Sequence, residues 1–406
     1  MTAADSGAGP VSSPFDPWDD SHRRDPQAFY AAMREQAPVY RGVGPVTGRS
    51  FWFLTRYDDV VGALRNPLLG REWKKLPEGL REQHHFDQGG LEMVDQHMLN
   101  ADPPDHTRLR RLVSRAFTTK RIEDLSPRIS DLVRRLLDDL SDGDDLIANF
   151  ALPIPVTVIA ELLGVPIADQ HRFRELVDRV LRPADDQERM AAGLELMANV
   201  NDWIEVRRKT PGDDLLSALI HIEEEDESLS HAELLSMVQL LLIAGHETTV
   251  NLIGNGMLEL MRHPEQQEML IGQPSLLDGA IEEMLRYHGP VETSFPRFAY
   301  EEIQIGEETI PQGDAVIPVL MAANRDPAQF LAPDVFEVDR DPNRHVAFGL
   351  GIHHCLGAPL ARLEARIAIG YLLDRQPEIG LACSEDELEW TPDFFLRGLR
   401  QLPVSL

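Results

Sequence analysis

SHAELLSMVQLLLIAGHETTVNLIGNGMLELMR, Ser230 to Arg262, is apolar on nearly every side through its first half and then carries four polar residues in a row, His246, Glu247, Thr248 and Thr249. A run of this composition reads as a helix buried among other helices. Ser230 and Glu233 have the spacing of a capping box, in which hydroxyl and carboxylate satisfy each other's backbone donors at a helix start. Pro264 ends the helix at His263, because proline can neither donate nor clear the preceding turn. At about 1.5 Å per residue such a helix is roughly 48 Å long, enough to cross a whole domain. The polar interruption reads in two ways. Its side chains bond neighbouring carbonyls or buried water, the commoner outcome for an isolated polar patch. Alternatively, a carboxylate beside a hydroxyl carries protons into a dry pocket, after a small pair, Ala244 and Gly245, that lets a flat group lie against the backbone.

Away from this helix the 3.6-residue period continues in DPQAFYAAMREQ, DHTRLRRLVSRAF, RISDLVRRLLDDL, LLDGAIEEMLRYH and LGAPLARLEARIAIGYLLDR. Strand-like alternation is confined to short pieces, SFWFLT, SFPRFA, EIQIG, AVIPVL and FFLRGLRQLPV. The expected class is mainly α with a minor antiparallel β part (α+β). No repeat or composition shift divides the chain, so residues 21–406 are expected to form one large domain behind a disordered tail at residues 1–20. Between Asn66 and Asn100 runs a long segment of weak pattern, of the kind that inside a compact domain usually has a function.

The acidic balance, 68 Asp plus Glu against 39 Lys plus Arg, gives a formal charge of −29 and argues against nucleic acid or an anionic membrane surface as partner. The first residues lack a basic region followed by an apolar run, so neither a signal peptide nor a membrane anchor is expected. Two widely separated cysteines suit a reducing, cytoplasmic setting and not a disulfide framework. Cys383 has an unremarked setting, but Cys355 sits in FGLGIHHCLG, Phe348 to Gly357, just before a strong helix. A thiolate that binds iron needs a fixed loop, backbone donors to temper its charge, and close approach to a flat cofactor. Gly349, Gly351 and Gly357 permit that approach, and Phe348 is placed to pack beneath the cofactor.

At this point the sequence resembles the cytochrome P-450 haem-thiolate monooxygenases in their soluble bacterial form, from about Phe29 to Pro403. FGLGIHHCLG matches the family's haem-binding signature, which implies Cys355 as the iron ligand. AGHETT is similar to its oxygen-activation motif, with Glu247 as acid and Thr248 as alcohol. EEMLR holds its Glu-x-x-Arg as Glu283 and Arg286, and PDVFEVDR supplies Arg340 as third member of that ion cluster. His106, Arg110, Arg297 and His353 stand where the family holds the haem propionates, with Ala244, Gly245, Gly349 and Phe348 beside the ring.

The resemblance implies one domain with the long helix over haem b, and insertion of one atom of O2 into a lipophilic molecule: a polyketide, terpenoid, steroid or fatty-acid-like secondary metabolite. Thr248 would hydrogen-bond the oxygen being reduced, and Glu247 with ordered water would resupply protons. With no flavin or iron–sulfur segment in the chain, the electrons are expected from a separate ferredoxin and ferredoxin reductase. Docking an acidic ferredoxin needs a basic face, expected at Arg108, Arg111, Arg115, Lys120 and Arg121. The pocket is expected from residues 66–100, residues 166–199, Leu241, Ala244, PVETSF and DFFLR, with Glu292 and Arg397 as candidate polar contacts or as groups satisfied within the protein. A monomer is expected. The alternatives are a peroxide-driven peroxygenase, against which Glu247 and Thr248 argue, and a haem-thiolate binding protein without turnover.

Overall fold

The computed structural model describes residues 15–44, 48–84, 96–166, 169–181, 186–223 and 229–406. One helix, His231–Arg262, runs unbroken through the core and opens with the expected capping box between Ser230 and Glu233. Leu234, Met237, Val238, Leu242 and the stretch Thr249–Leu260 are buried, and each fully buried Leu or Met side chain contributes about 1.5–3 kcal/mol. Around it pack the helices Pro153–Leu162, Asp186–Lys209, Leu277–His288 and Ala358–Arg375. A Cβ on Gly256 would lie 2.6 Å from the Met284 sulfur, so glycine there sets how closely Leu277–His288 can approach.

The β part is small. Strands β1 (Val39–Val43), β2 (Ser50–Leu54), β3 (Leu69–Gly70), β4 (Arg297–Ala299), β5 (Ile303–Ile305), β6 (Glu308–Ile310) and β7 (Ala315–Pro318) precede β8 (Gly380–Leu381) and β9 (Val404–Ser405). The main sheet has the order β1-β2-β7-β4-β3, with β5-β6 and β8-β9 as separate pairs. Most pairing is antiparallel, as expected, but β2 and β7 pair in parallel, Phe51 opposite Ala315. Of AVIPVL only Ala315–Pro318 is strand, and Leu320–Ala323 turns helical. FFLRGLRQLPV makes isolated bridges, Val291 with Leu396 and Trp390 with Leu399, before β9.

The 24-residue helix Asp186–Lys209 was not expected as a helix, because its apolar residues are spread around all sides and leave no stripe. Residues 1–14 of the expected tail lie outside the described residues. The remainder of that tail is a correction: Phe15 is buried, edge-on to Phe29 and Tyr40, and Trp18 packs on Phe394. Aromatic burial therefore anchors the chain from Phe15 onward. Among the described residues no helix is long and apolar enough to cross a membrane.

Candidate functional site

The cysteine loop is shaped by its glycines. Gly349 and Gly351 take positive φ, 65° and 72°, and a Cβ on Gly351 would lie 2.7 Å from the Leu64 carbonyl oxygen. The Cys355 N–H donates to the Phe348 carbonyl at 2.9 Å, and the Gly349 N–H to Val346 at 2.8 Å. This closure delivers the sulfur to the start of the helix Ala358–Arg375, whose positive end favours a thiolate. Burial pushes the Cys355 thiol pKa up, opposed by the Gly357 and Ala358 N–H groups and by Arg110 and Arg362. The residue keeps accessible surface although protein surrounds most of it, as a side chain on the wall of a recess does. Phe348 is half-buried, with the Arg362 guanidinium 4.5 Å from its ring centroid.

Beside the sulfur the structure gathers two arginines and two histidines from three places in the chain. His106 and Arg110 come from the helix Asp105–Ala116, His353 from the cysteine loop and Arg297 from β4. The His106 and His353 rings lie 4.5 Å apart, edge to face. Arg110 donates through Nη2 to the His354 carbonyl at 2.8 Å, and Arg297 through Nη1 to Leu69 at 3.2 Å. Burial and then Arg297, His106 and Arg71 press the His353 pKa down to about 3, while burial and Arg110 lower that of His106. Both ring nitrogens of His106, Nε2 of His353 and Nε of Arg297 are buried without a hydrogen-bond partner. Such orphans cost about 1–3 kcal/mol each, and a dianionic group set among them would relieve both the crowding and the missing bonds. Among the described residues no cluster of three or more His, Cys, Asp or Glu side chains is placed to hold a metal. Cys355 would offer iron a single sulfur, which fits a metal that arrives already held in a cofactor.

The central helix supplies the remaining candidates. Ile243 and Ala244 are exposed although they sit midway along a core helix, and Gly245, Glu247 and Thr248 are half-buried on the same side. Thr248 Oγ donates to the Ala244 carbonyl at 3.0 Å. Its proton is thus committed within the helix, and its lone pairs are left to accept. His246 points elsewhere: it is buried, Nδ1 contacts the Leu242 carbonyl, and burial lowers its pKa to about 4.

Other expectations resolve into structure. Glu283 and Arg286 are wholly buried and joined by two bonds of 2.7 Å, and Arg340 donates to the same carboxylate at 3.1 Å. Glu292 and Arg397 are satisfied within the protein. Tyr30 donates to Glu292 at 2.5 Å, and Arg397 donates to His288 and to the Arg23 carbonyl, both at 2.7 Å, while stacking on Trp390. Of the expected basic face, Arg108 is paired with Glu233, and Arg121 donates to Ala116 and lies 3.6 Å from Asp213. Arg111, Arg115 and Lys120 are exposed. Sequence reasoning missed Arg71, Asp102 and Tyr300, whose meeting joins distant segments. It also missed Arg362, one helical turn beyond Ala358 on the face that meets the sulfur.

A family model described as Cytochrome P-450 matches residues 175–376. The cytochrome P-450 monooxygenase PikC of Streptomyces venezuelae is 44% identical, over 94% of this chain and 91% of its own. The solved structure of a myxobacterial cytochrome P-450 in complex with myristic acid is 45% identical, covers 96% of this chain and 98% of its own, and superposes with a TM-score of 0.88. That of PksS, a Bacillus subtilis bacillaene polyketide synthase cytochrome P-450, is 39% identical, covers 97% and 99%, and superposes with a TM-score of 0.89.

Proposed function

The chain belongs to the cytochrome P-450 family and is a haem-dependent monooxygenase, and on that basis we propose that it oxidises a lipophilic molecule built from an acyl or polyketide chain. The substrate class is supported by the likeness to one structure holding myristic acid and to another named for a polyketide synthase. The apolar residues near the candidate site, Ile243, Phe295 and Phe395 among them, suit such a ligand.

Cys355 is the proposed proximal ligand of haem b, and His106, Arg110, Arg297 and His353 hold its propionates. The observation that carries this is the set of buried, unpartnered nitrogens on His106, His353 and Arg297, gathered in the cation cluster beside that sulfur. Bound haem supplies the iron chemistry that activates O2. Phe348, Gly349, Ala244 and Gly245 flank it. Gly357 and Ala358 temper the thiolate, and Phe348 under Arg362 stiffens the loop. Thr248, its own proton held by Ala244, accepts a hydrogen bond at the reacting oxygen, and Glu247 with water brings protons to it. Electrons arrive one at a time from a separate ferredoxin and its reductase, docked at Arg111, Arg115 and Lys120 in the cytoplasm, with the enzyme acting as a monomer. The presence of both Glu247 and Thr248 disfavours peroxide as the oxidant.

An absorption titration with fatty acids and macrolactones tests the substrate class: binders should shift the Soret band toward high spin. With a surrogate ferredoxin and NADH, Thr248→Ala should keep consuming reductant but release peroxide, with product lowered by about 100-fold. No shift by any lipophilic compound would reject the substrate class, and unchanged coupling would reject the role of Thr248.

A further inference from the structure

Asp102 holds a position that none of the roles above uses. It is a buried carboxylate that accepts from three donors: the Arg71 N–H, shared between its two oxygens at 2.9 and 3.2 Å, the Glu72 N–H at 3.0 Å, and the Tyr300 hydroxyl. Its own N–H donates to the Glu72 carboxylate at 2.6 Å, and its carbonyl accepts from the His106 N–H at 2.9 Å. Tyr300 reaches it only because residue 70 is glycine, where a Cβ would stand 2.3 Å from the tyrosine ring. Arg71 then fans out to the carbonyls of Leu99 and Pro296 and to the Asn100 side chain, with Phe295 under its guanidinium.

One carboxylate thus ties together the segment after β3, the entry to the helix Asp105–Ala116, and the end of β4. Those segments carry Arg71, His106 and Arg297. Asp102 is also the carboxylate whose charge acts on His106, Arg297 and His353. Its own pKa is lowered: burial would raise it, but the hydrogen bonds from Tyr300, Glu72 and Arg71 outweigh that.

We infer that Asp102, latched by Tyr300, is the positioning residue of the cofactor pocket. It fixes the spacing of His106, Arg297 and Arg71 so that both anionic arms of the cofactor find partners without rearrangement. This rests on the haem-thiolate reading of the site. Supporting groups of this kind change affinity by about 10–100-fold when removed.

The test is the rate at which holoprotein surrenders haem to excess apomyoglobin, for wild type, Tyr300→Phe, Asp102→Asn and the double variant. Leu270→Ala, a buried residue in another helix, serves as a control destabilised by an unrelated cavity. Both single variants should release haem about tenfold faster with the thiolate-type spectrum unchanged. The double variant should be no faster than Asp102→Asn alone, because Tyr300 acts through that carboxylate. The control should release at the wild-type rate. Wild-type release by both variants would overturn the inference, as would equal acceleration by a control of matched melting temperature. A wild-type protein without a thiolate-haem spectrum would instead sink the reading of the site itself.

Discussion

Two buried groups of charge lie in this molecule, and they are built oppositely. Around Glu283 the charged groups have their bonds closed: Arg286 also donates to the carbonyls of Asn324, Pro333 and Val335, and the carboxylate takes further bonds from the Glu337 N–H and Asn343. Around His106, Arg297 and His353 the groups crowd one another, with burial and Arg297 pressing the His353 pKa down, and four ring or guanidinium nitrogens go without a partner. Arginine serves both, in one place holding the chain and in the other waiting for an anion. Burial of charge alone therefore says little about function. What separates the two is whether the hydrogen bonds are closed.

The sharpest way to break this contrast is to remove a partner from the closed cluster. Arg286→Met leaves the buried Glu283 carboxylate with Arg340 as its one remaining arginine and should cost about 3–5 kcal/mol, read from denaturant unfolding. The open cluster should behave the other way. Arg297→Leu removes a buried cation whose Nε has no partner, so haem-free protein should unfold at the wild-type denaturant concentration or higher, while haem retention falls by about tenfold. Equal losses of stability in the two variants would erase the distinction.

The contrast sharpens with single histidines. His288 uses both nitrogens, bonding Glu259 and receiving Arg397 at 2.7 Å each, whereas Nε2 of His246 has no partner. Burial holds both near pKa 4 against the ordinary 6.5. Below pH 6.5 the unfolded chain binds protons that the folded chain refuses, so stability present above 6.5 is lost as pH falls toward 4. His246→Leu should flatten that slope by at most about 1.4 kcal/mol per pH unit, measured by unfolding at pH 7, 6 and 5. The smallest effect belongs to exposed charge. Arg111→Glu with Arg115→Glu should move stability by no more than about 0.5 kcal/mol. The same pair should slow reduction by ferredoxin at low salt, with the difference fading as salt rises. A salt-independent rate would remove these residues from the docking face.

Much of this was legible in the sequence because the signals are local. The capping box at Ser230, the Glu283 and Arg286 pair three residues apart, and the glycines flanking Cys355 each declare themselves within ten residues. What stayed hidden joins distant segments. Tyr300 meets Asp102 across 198 residues, and β2 finds β7 in parallel through most of the chain. Nor does a list of polar residues tell satisfied from unsatisfied. Arg397 and Arg297 read alike in the sequence, but one is bonded to His288 and Arg23 while the other keeps its Nε open. The helix Asp186–Lys209 escaped because it lacks the amphipathic stripe on which such readings depend.

The central claim is that the open cations and the sulfur of Cys355 together hold haem. The measurement that tests it most directly is the absorption spectrum of reduced, haem-replete protein under carbon monoxide, for wild type and Cys355→Ser. The account predicts a thiolate-type band in wild type that is lost in the variant, even where the cations still retain haem. The same band in both proteins, or no haem in wild type, would contradict it.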